Sequence, residues 1–213
     1  MQQLYILCEG QSEEAFVKQV LSPYLQGFQI YATPIVLGGV SHYRKIREHL
    51  KILGRNSNII LTTMLDYYKL PLDTPGIKEC NYTVPSDIAR YIEQQIYNDL
   101  IHELKCQKFL PNIIMHEYEA LLLSDVACFS VCKDFTARNI KQLTKEVSSF
   151  ATPEHVNNSE QTAPSKRILR LCPNYQKNID GTRIAQEIGI QKMMQECKHF
   201  AEWIEQMVER VSK

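Results

Sequence analysis

Three times in the first 120 residues an uncharged, mainly apolar run of strand length stops at an acidic residue. Residues 4–8 (Leu-Tyr-Ile-Leu-Cys) stop at Glu9, residues 58–65 (Asn-Ile-Ile-Leu-Thr-Thr-Met-Leu) at Asp66, and residues 109–115 at His116-Glu117-Tyr118-Glu119. Runs without polar alternation read as strands buried on both faces, which is the habit of a parallel sheet. Helix-patterned segments lie between them, so the chain reads as α/β with right-handed crossovers. In such a sheet every strand leaves at the same edge, and ligands bind at that edge. The three acidic stops therefore fall together.

The intervening segments fit this frame. Ser12 is placed to cap a helix whose first turn holds Glu13 and Glu14 and whose apolar stripe is Ala15, Phe16, Val17, Val20 and Leu21. Pro23 makes its last turn irregular. A second strand spans 29–37 and ends at Gly38-Gly39; a basic amphipathic helix spans 41–53, and another helix runs from 85 to about 105. Beyond residue 126 the pattern changes to helical pieces at 140–150, 164–172 and 181–187, then one amphipathic helix over 190–211. The expected division is an α/β core over 1–125 and a helical extension over 126–213 packed on it. Residues 152–163, rich in Pro, Asn, Ser and Thr, read as an exposed loop.

Composition removes several classes of function. No run of about 18 apolar residues is present, so no membrane span is expected. The apolar run at 4–8 is too short for a secretory leader, and the seven cysteines are scattered and odd in number. A reducing cytoplasm is the expected compartment. The net charge is zero, which argues against broad non-specific binding of polyanions. Residues 161–179 nevertheless carry Lys166, Arg167, Arg170 and Lys177 with no acid.

The acids at the strand ends are the candidate site. Glu9, Asp66, Glu117 and Glu119 present hard oxygen donors, the chemistry of Mg²⁺ or Mn²⁺ with water and substrate phosphate in the remaining positions. One carboxylate would act through water as general base, and Lys166, Arg167 and Arg170 would hold phosphate. Other motifs fall short: position 120 is Ala where a zinc-protease helix needs its second His, and Gly38-Gly39 has neither phosphate-loop pattern. Tyr67-Tyr68 can stack on a base or pack beneath the Pro-rich loop that follows.

Four motifs in order, Leu4-Tyr-Ile-Leu-Cys-Glu-Gly-Gln-Ser-Glu13, Thr62-Thr-Met-Leu-Asp-Tyr-Tyr-Lys-Leu-Pro71, His116-Glu-Tyr-Glu-Ala-Leu-Leu-Leu-Ser-Asp125 and Ala163-Pro-Ser-Lys-Arg-Ile-Leu169, resemble the bacterial family DUF4276 over nearly the whole chain. The resemblance implies a Toprim-like first half, as in the nucleases of the overcoming-lysogenization-defect class. There a Glu after the first strand and an Asp-x-Asp after a later one bind Mg²⁺. Glu9 matches the glutamate and Asp66 the first aspartate, whereas Tyr68 stands where the second is expected. The resemblance also implies a gene neighbourhood of phage defence or restriction with an ATPase encoded nearby. The expected function is Mg²⁺-dependent phosphodiester hydrolysis on DNA or RNA. The alternative is a non-catalytic, degenerate Toprim module that binds the partner ATPase or a nucleotide.

Overall fold

A computed structural model describes residues 1–157 and 160–211. Strands β1 (Gln2–Cys8), β2 (Ile30–Val36), β3 (Ile59–Asp66) and β4 (Lys108–Leu110) lie in the order β2-β1-β3-β4, and β5 (Ile113–Ile114) continues along β3. Every pairing is parallel, as expected of an α/β chain. The helices are α1 (Gln11–Phe16), α2 (Ser22–Gln26), α3 (Tyr43–Leu53), α4 (Pro85–Leu100), α5 (Glu119–Leu122), α6 (Ala137–Val147), α7 (Pro164–Leu171), α8 (Thr182–Ile188), α9 (Ile190–Glu196) and α10 (Lys198–Glu209). None of the described helices is long and apolar enough to cross a membrane.

Alternation along the strands divides the core in two. Leu4, Ile6, Ile60 and Met64 pack with Phe16, Leu21, Tyr118, Phe200 and Trp203, so residues from both halves of the chain share one apolar cluster. Leu7, Ile59, Leu61 and Leu65 pack with Ile46 and Leu50 of α3 and Ile92 and Ile96 of α4. All eight residues of β3 are buried, which explains its lack of polar alternation.

Five local expectations are corrected. The first helix is capped by Gly10 rather than Ser12: the Gly10 N–H donates to Glu13 Oε2 at 2.9 Å, and Ser12 lies inside the helix. Upstream of Pro23 a π-helical turn, Val17–Leu21, joins α1 to α2. It loosens the backbone just before a residue that has no N–H to donate. The run at 109–115 is two short strands, because Pro111 cannot donate to the ladder. The register survives the gap because Thr63 Oγ1 donates to the Asn112 carbonyl at 2.7 Å and accepts from its N–H at 2.8 Å. The side chain of a neighbouring strand thus replaces the missing rungs.

The helix expected over 190–211 is interrupted at Cys197, whose backbone is extended, and α10 starts afresh beyond it. Glu154 holds the break: its carboxylate accepts from the N–H groups of His199 (3.1 Å) and Phe200 (3.0 Å). Glu154 belongs to the stretch expected to be an exposed loop. Instead Pro153, Glu154, Val156 and Ala163 are buried, while residues 158 and 159 lie outside the described part. A loop that supplies a cap to a distant helix must run inward at that point.

Changing Thr63 to Val orphans both backbone groups of Asn112 in a buried setting, with an expected loss of about 1–3 kcal/mol. Thr63→Ser should retain most of the stability. Denaturant midpoints of the two variants check this, and equal midpoints for Thr63→Val and the parent chain would refute the bridging role.

Candidate functional site

The parallel pairing of β1 with β3 sets Cys8 beside Met64, so the two strands leave the sheet close together. Glu9 follows β1 directly and Asp66 closes β3. Asp66 is buried, and its Oδ1 accepts from the Tyr118 N–H at 2.9 Å. That bond holds the segment 116–119 against the strand end, with His116 in the left-handed region at φ 64°. Tyr118 in turn donates its hydroxyl to the Gly181 carbonyl at 3.2 Å. A methyl group at position 181 would meet the Tyr175 hydroxyl at 2.7 Å, so a glycine lets the π-helical turn Lys177–Gly181 approach closely. This turn delivers Lys177, whose ammonium lies 2.9 Å from Glu119 and 3.8 Å from Glu117.

The cleft therefore gathers five carboxylates and two lysines. Glu9 pairs with Lys69 at 3.2 Å, and Lys69 ends the short 3-10 turn Tyr67–Lys69 that follows Asp66. Glu13 comes from the first turn of α1, where it also closes the Gly10 cap. Glu117 accepts from the Ser165 N–H at 2.9 Å and so caps the N-terminus of α7. Burial pushes the Asp66 carboxyl well above its ordinary value, and Glu13, Glu9 and Glu119 push it further against the pull of Lys177. Burial likewise raises Glu9 and Glu119, with Lys69 and Lys177 respectively opposing. For Lys177, burial pulls the ammonium down, but Glu119 and Glu117 outweigh it and the net shift is upward. At Asp66 the neighbouring acids outweigh Lys177, whereas at Glu9 and Glu119 burial raises the carboxyl and the paired lysine is the larger charge effect.

The expected phosphate-binding strip behaves differently. Arg167 and Arg170 both pair with Glu146 of α6, at 3.4 and 2.6 Å. Arg167 also donates to the Thr162 carbonyl at 2.7 Å and lies over the Phe150 ring. These two arginines are fastened to α6 through Glu146; Lys166 stays exposed beside Ser165. Tyr68 packs beside His116, with ring centroids 5.3 Å apart. Burial lowers His116 to about 4, so it is neutral near pH 7. Glu13, Lys69 and Lys177 were not among the expected site residues. Lys69 lies three positions after Asp66 within the same motif, and Lys177 lies within the acid-free basic strip.

Residues 8–208 match the family described as Domain of unknown function (DUF4276). The chain belongs to that family. DUF4276 here has the mostly parallel α/β sheet expected of a Toprim-like fold, with Glu9 and Asp66 at the strand ends the resemblance assigned. The structure is similar to the C-terminal region of the Burkholderia pseudomallei OLD protein, with 14% identity and a TM-score of 0.48 over 96% of this chain and 98% of that one. No curated protein matches.

Among the described residues no group of three or more His, Cys, Asp or Glu side chains is set to hold a metal ion. The donor set still fits a hard cation in chemistry and charge, being all oxygen and only partly neutralised. Lys69 and Lys177 stand as the counter-ions, and a cation would have to displace them.

Neutralising Asp66 should stabilise the fold. Its raised value means that its share of stability is present while the carboxyl keeps its proton at low pH and is lost as pH rises through the folded-state value. Asp66→Asn keeps an acceptor for the Tyr118 N–H and cannot ionise. Its Tm should exceed that of the parent at pH 8 by several degrees, each 1 kcal/mol being worth about 2–4 °C at this chain length. The gap should close toward pH 4, and a lower Tm at pH 8 would contradict the account.

Proposed function

We propose that the chain processes nucleic acid at this cleft, by Mg²⁺- or Mn²⁺-dependent phosphodiester hydrolysis, as the effector subunit of a phage-defence or restriction-like system. What carries the reading is the gathering of five acids on two lysines at the strand ends, centred on a buried Asp66 whose carboxyl burial, and then Glu13, Glu9 and Glu119, hold well above its ordinary value. Glu9, Asp66 and Glu119 would hold the metal, which when bound activates water and neutralises developing phosphate charge. Glu117 contributes from behind, since its carboxylate already caps α7.

The protein's own groups divide the remaining work. Glu9 is more open than Asp66 or Glu119, with its side chain 17% exposed against 1% for Glu119, and its raised value suits a general base acting through water. Lys69, half exposed, is free to swing from Glu9 toward a phosphate oxygen. Lys166, on the first turn of α7, would add a second cationic contact. Tyr67 and Tyr68, with ring centroids 5.8 Å apart, form an aromatic step beside the cleft on which a base could stack.

A second reading rests on a specific observation. Tyr68 in place of an acid, two lysines on the carboxylates and no ready three-ligand group suit a module that has lost catalysis and binds a nucleotide or a partner ATPase.

Two measurements separate the readings. On the first, millimolar Mg²⁺ or Mn²⁺ raises the Tm of the parent chain and supports cleavage of single- or double-stranded DNA or RNA. Glu9→Gln and Asp66→Asn should each reduce cleavage by about 100-fold or more, equivalent to about 2.7 kcal/mol of barrier, while remaining folded. On the second, neither metal shifts the Tm and no substrate is cut.

Lys166→Ala should weaken DNA or RNA binding modestly and lower its salt slope by about one charge. Arg170→Ala should leave the slope unchanged, because Arg170 is spent on Glu146. Filter binding at several salt concentrations tests the pair, and the reverse order would restore the expected strip.

A further inference from the structure

A second cavity lies away from the carboxylates, at the edge of the sheet where α4 and α10 converge on the gap between β4 and β5. Its volume of about 370 Å³ is within the range of small-molecule sites. None of the five clustered acids nor Lys69 or Lys177 lines it.

Two ion pairs hold its walls together. Arg90 of α4 grips both oxygens of Glu202 on α10, at 2.7 and 2.9 Å. His199 Nε2 lies 2.8 Å from Glu93, which also accepts from the Ile113 N–H at 2.7 Å. Tyr97 and Phe109 stack with only 10° between their planes, and the indole of Trp203 is anchored by its N–H on Thr62 at 2.8 Å. All three line the cavity, the half-buried Tyr97 presenting its ring and the buried Phe109 and Trp203 backing it.

The polar groups of the same wall are incomplete. Asn112 Nδ2, His199 Nδ1 and Arg210 Nε are buried without a hydrogen-bond partner, and Asn112 and His199 are only 2% and 5% exposed. Three unfilled groups around one cavity are an unusual cost, because each buried orphan forfeits the hydration it had in the unfolded chain. Burial lowers the His199 imidazole and Glu93 raises it, with a net upward shift; Asn112 Nδ2 and Arg210 Nε are donors whatever its state. The set thus asks for an acceptor-bearing occupant.

The carboxylates of Glu93 and Glu202 do not set its charge. Both line the cavity, but each already has its counter-ion, in His199 and Arg90, so what an occupant meets is the unpartnered donors of Asn112 and Arg210. A flat group with acceptors along its edge answers both the ring wall and these donors. We propose that this cavity is a nucleobase-binding site, in which a purine or pyrimidine lies against the aromatic wall and presents its carbonyl or ring-nitrogen edge to Asn112, His199 and Arg210. It is separate from the acidic cleft and does not depend on the function proposed there.

Trp203 is the only tryptophan in the chain, so a change in its emission comes from one indole that lines this cavity. The test titrates adenosine, guanosine, cytidine and uridine into the whole protein, excited at the red edge of the indole band, with ribose and benzoate as controls. At least one nucleoside should quench or shift the emission saturably, with no response to ribose or benzoate. Asn112→Leu and Arg210→Gln, each checked for an unchanged circular dichroism spectrum, should weaken that binding about tenfold, the effect of one lost hydrogen bond to a polar group. Arg210 lies just past the end of α10, so its variant keeps the test open if the Asn112 variant does not fold. Silence with all four nucleosides, an equal response to ribose or benzoate, or parent-like binding by the folded variants would overturn the proposal.

Discussion

The parallel register of β1 on β3 brings Glu9 and Asp66 out of the sheet side by side, and the hydrogen bond from the Tyr118 N–H to Asp66 fastens a third acidic segment to them. Much of the molecule is arranged around this contact. The same segment caps α7 through Glu117, receives Lys177 through Glu119 and packs Tyr118 against Phe16 in the core. A buried carboxylate that accepts a single backbone N–H among like charges is costly. It persists because β3 is wholly buried and leaves its last side chain no route to solvent.

The cost falls on the part of the protein where function is proposed. Glu9, Asp66 and Glu119 all sit above their ordinary values, whereas Glu48, Glu103 and Glu146, paired with arginine or lysine elsewhere, sit below theirs. The contrast marks the cleft off from the structural ion pairs. Glu146 shows the ordinary solution, two arginines closing on one acid. In the cleft five acids share two lysines, an imbalance suited to a cation or to chemistry and unhelpful for stability alone.

The sheet and its acidic edge were legible in the sequence because both are local patterns repeated in phase. Residues 4–8 and 58–65 became β1 and β3 within a residue or two at each end, and the acids that stop them meet where topology requires. The features missed are those that depend on a distant partner. Nothing near Cys197 announces a break in its helix; Glu154, more than 40 residues earlier, supplies the cap. Lys177 looked like one of four similar cations. Only the turn held by Gly181 and Tyr118 brings it to Glu119, while Glu146 draws Arg167 and Arg170 away. Pro111 did carry a local signal, because a proline within a strand removes a rung wherever the strand lies.

The central claim is that burial, and beyond it more negative charge than Lys69 and Lys177 neutralise, hold the Asp66 carboxyl well above its ordinary value until a stronger cation arrives. The most direct measurement follows the Asp66 side-chain carboxyl carbon by NMR across pH, assigned by comparison with Asp66→Asn, with and without Mg²⁺. The account predicts a midpoint well above the usual aspartate value of about 3.9 in the metal-free protein, and a clear fall when Mg²⁺ is added. A midpoint at or below that usual value without metal would show that the lysines already balance the site, and would contradict the account.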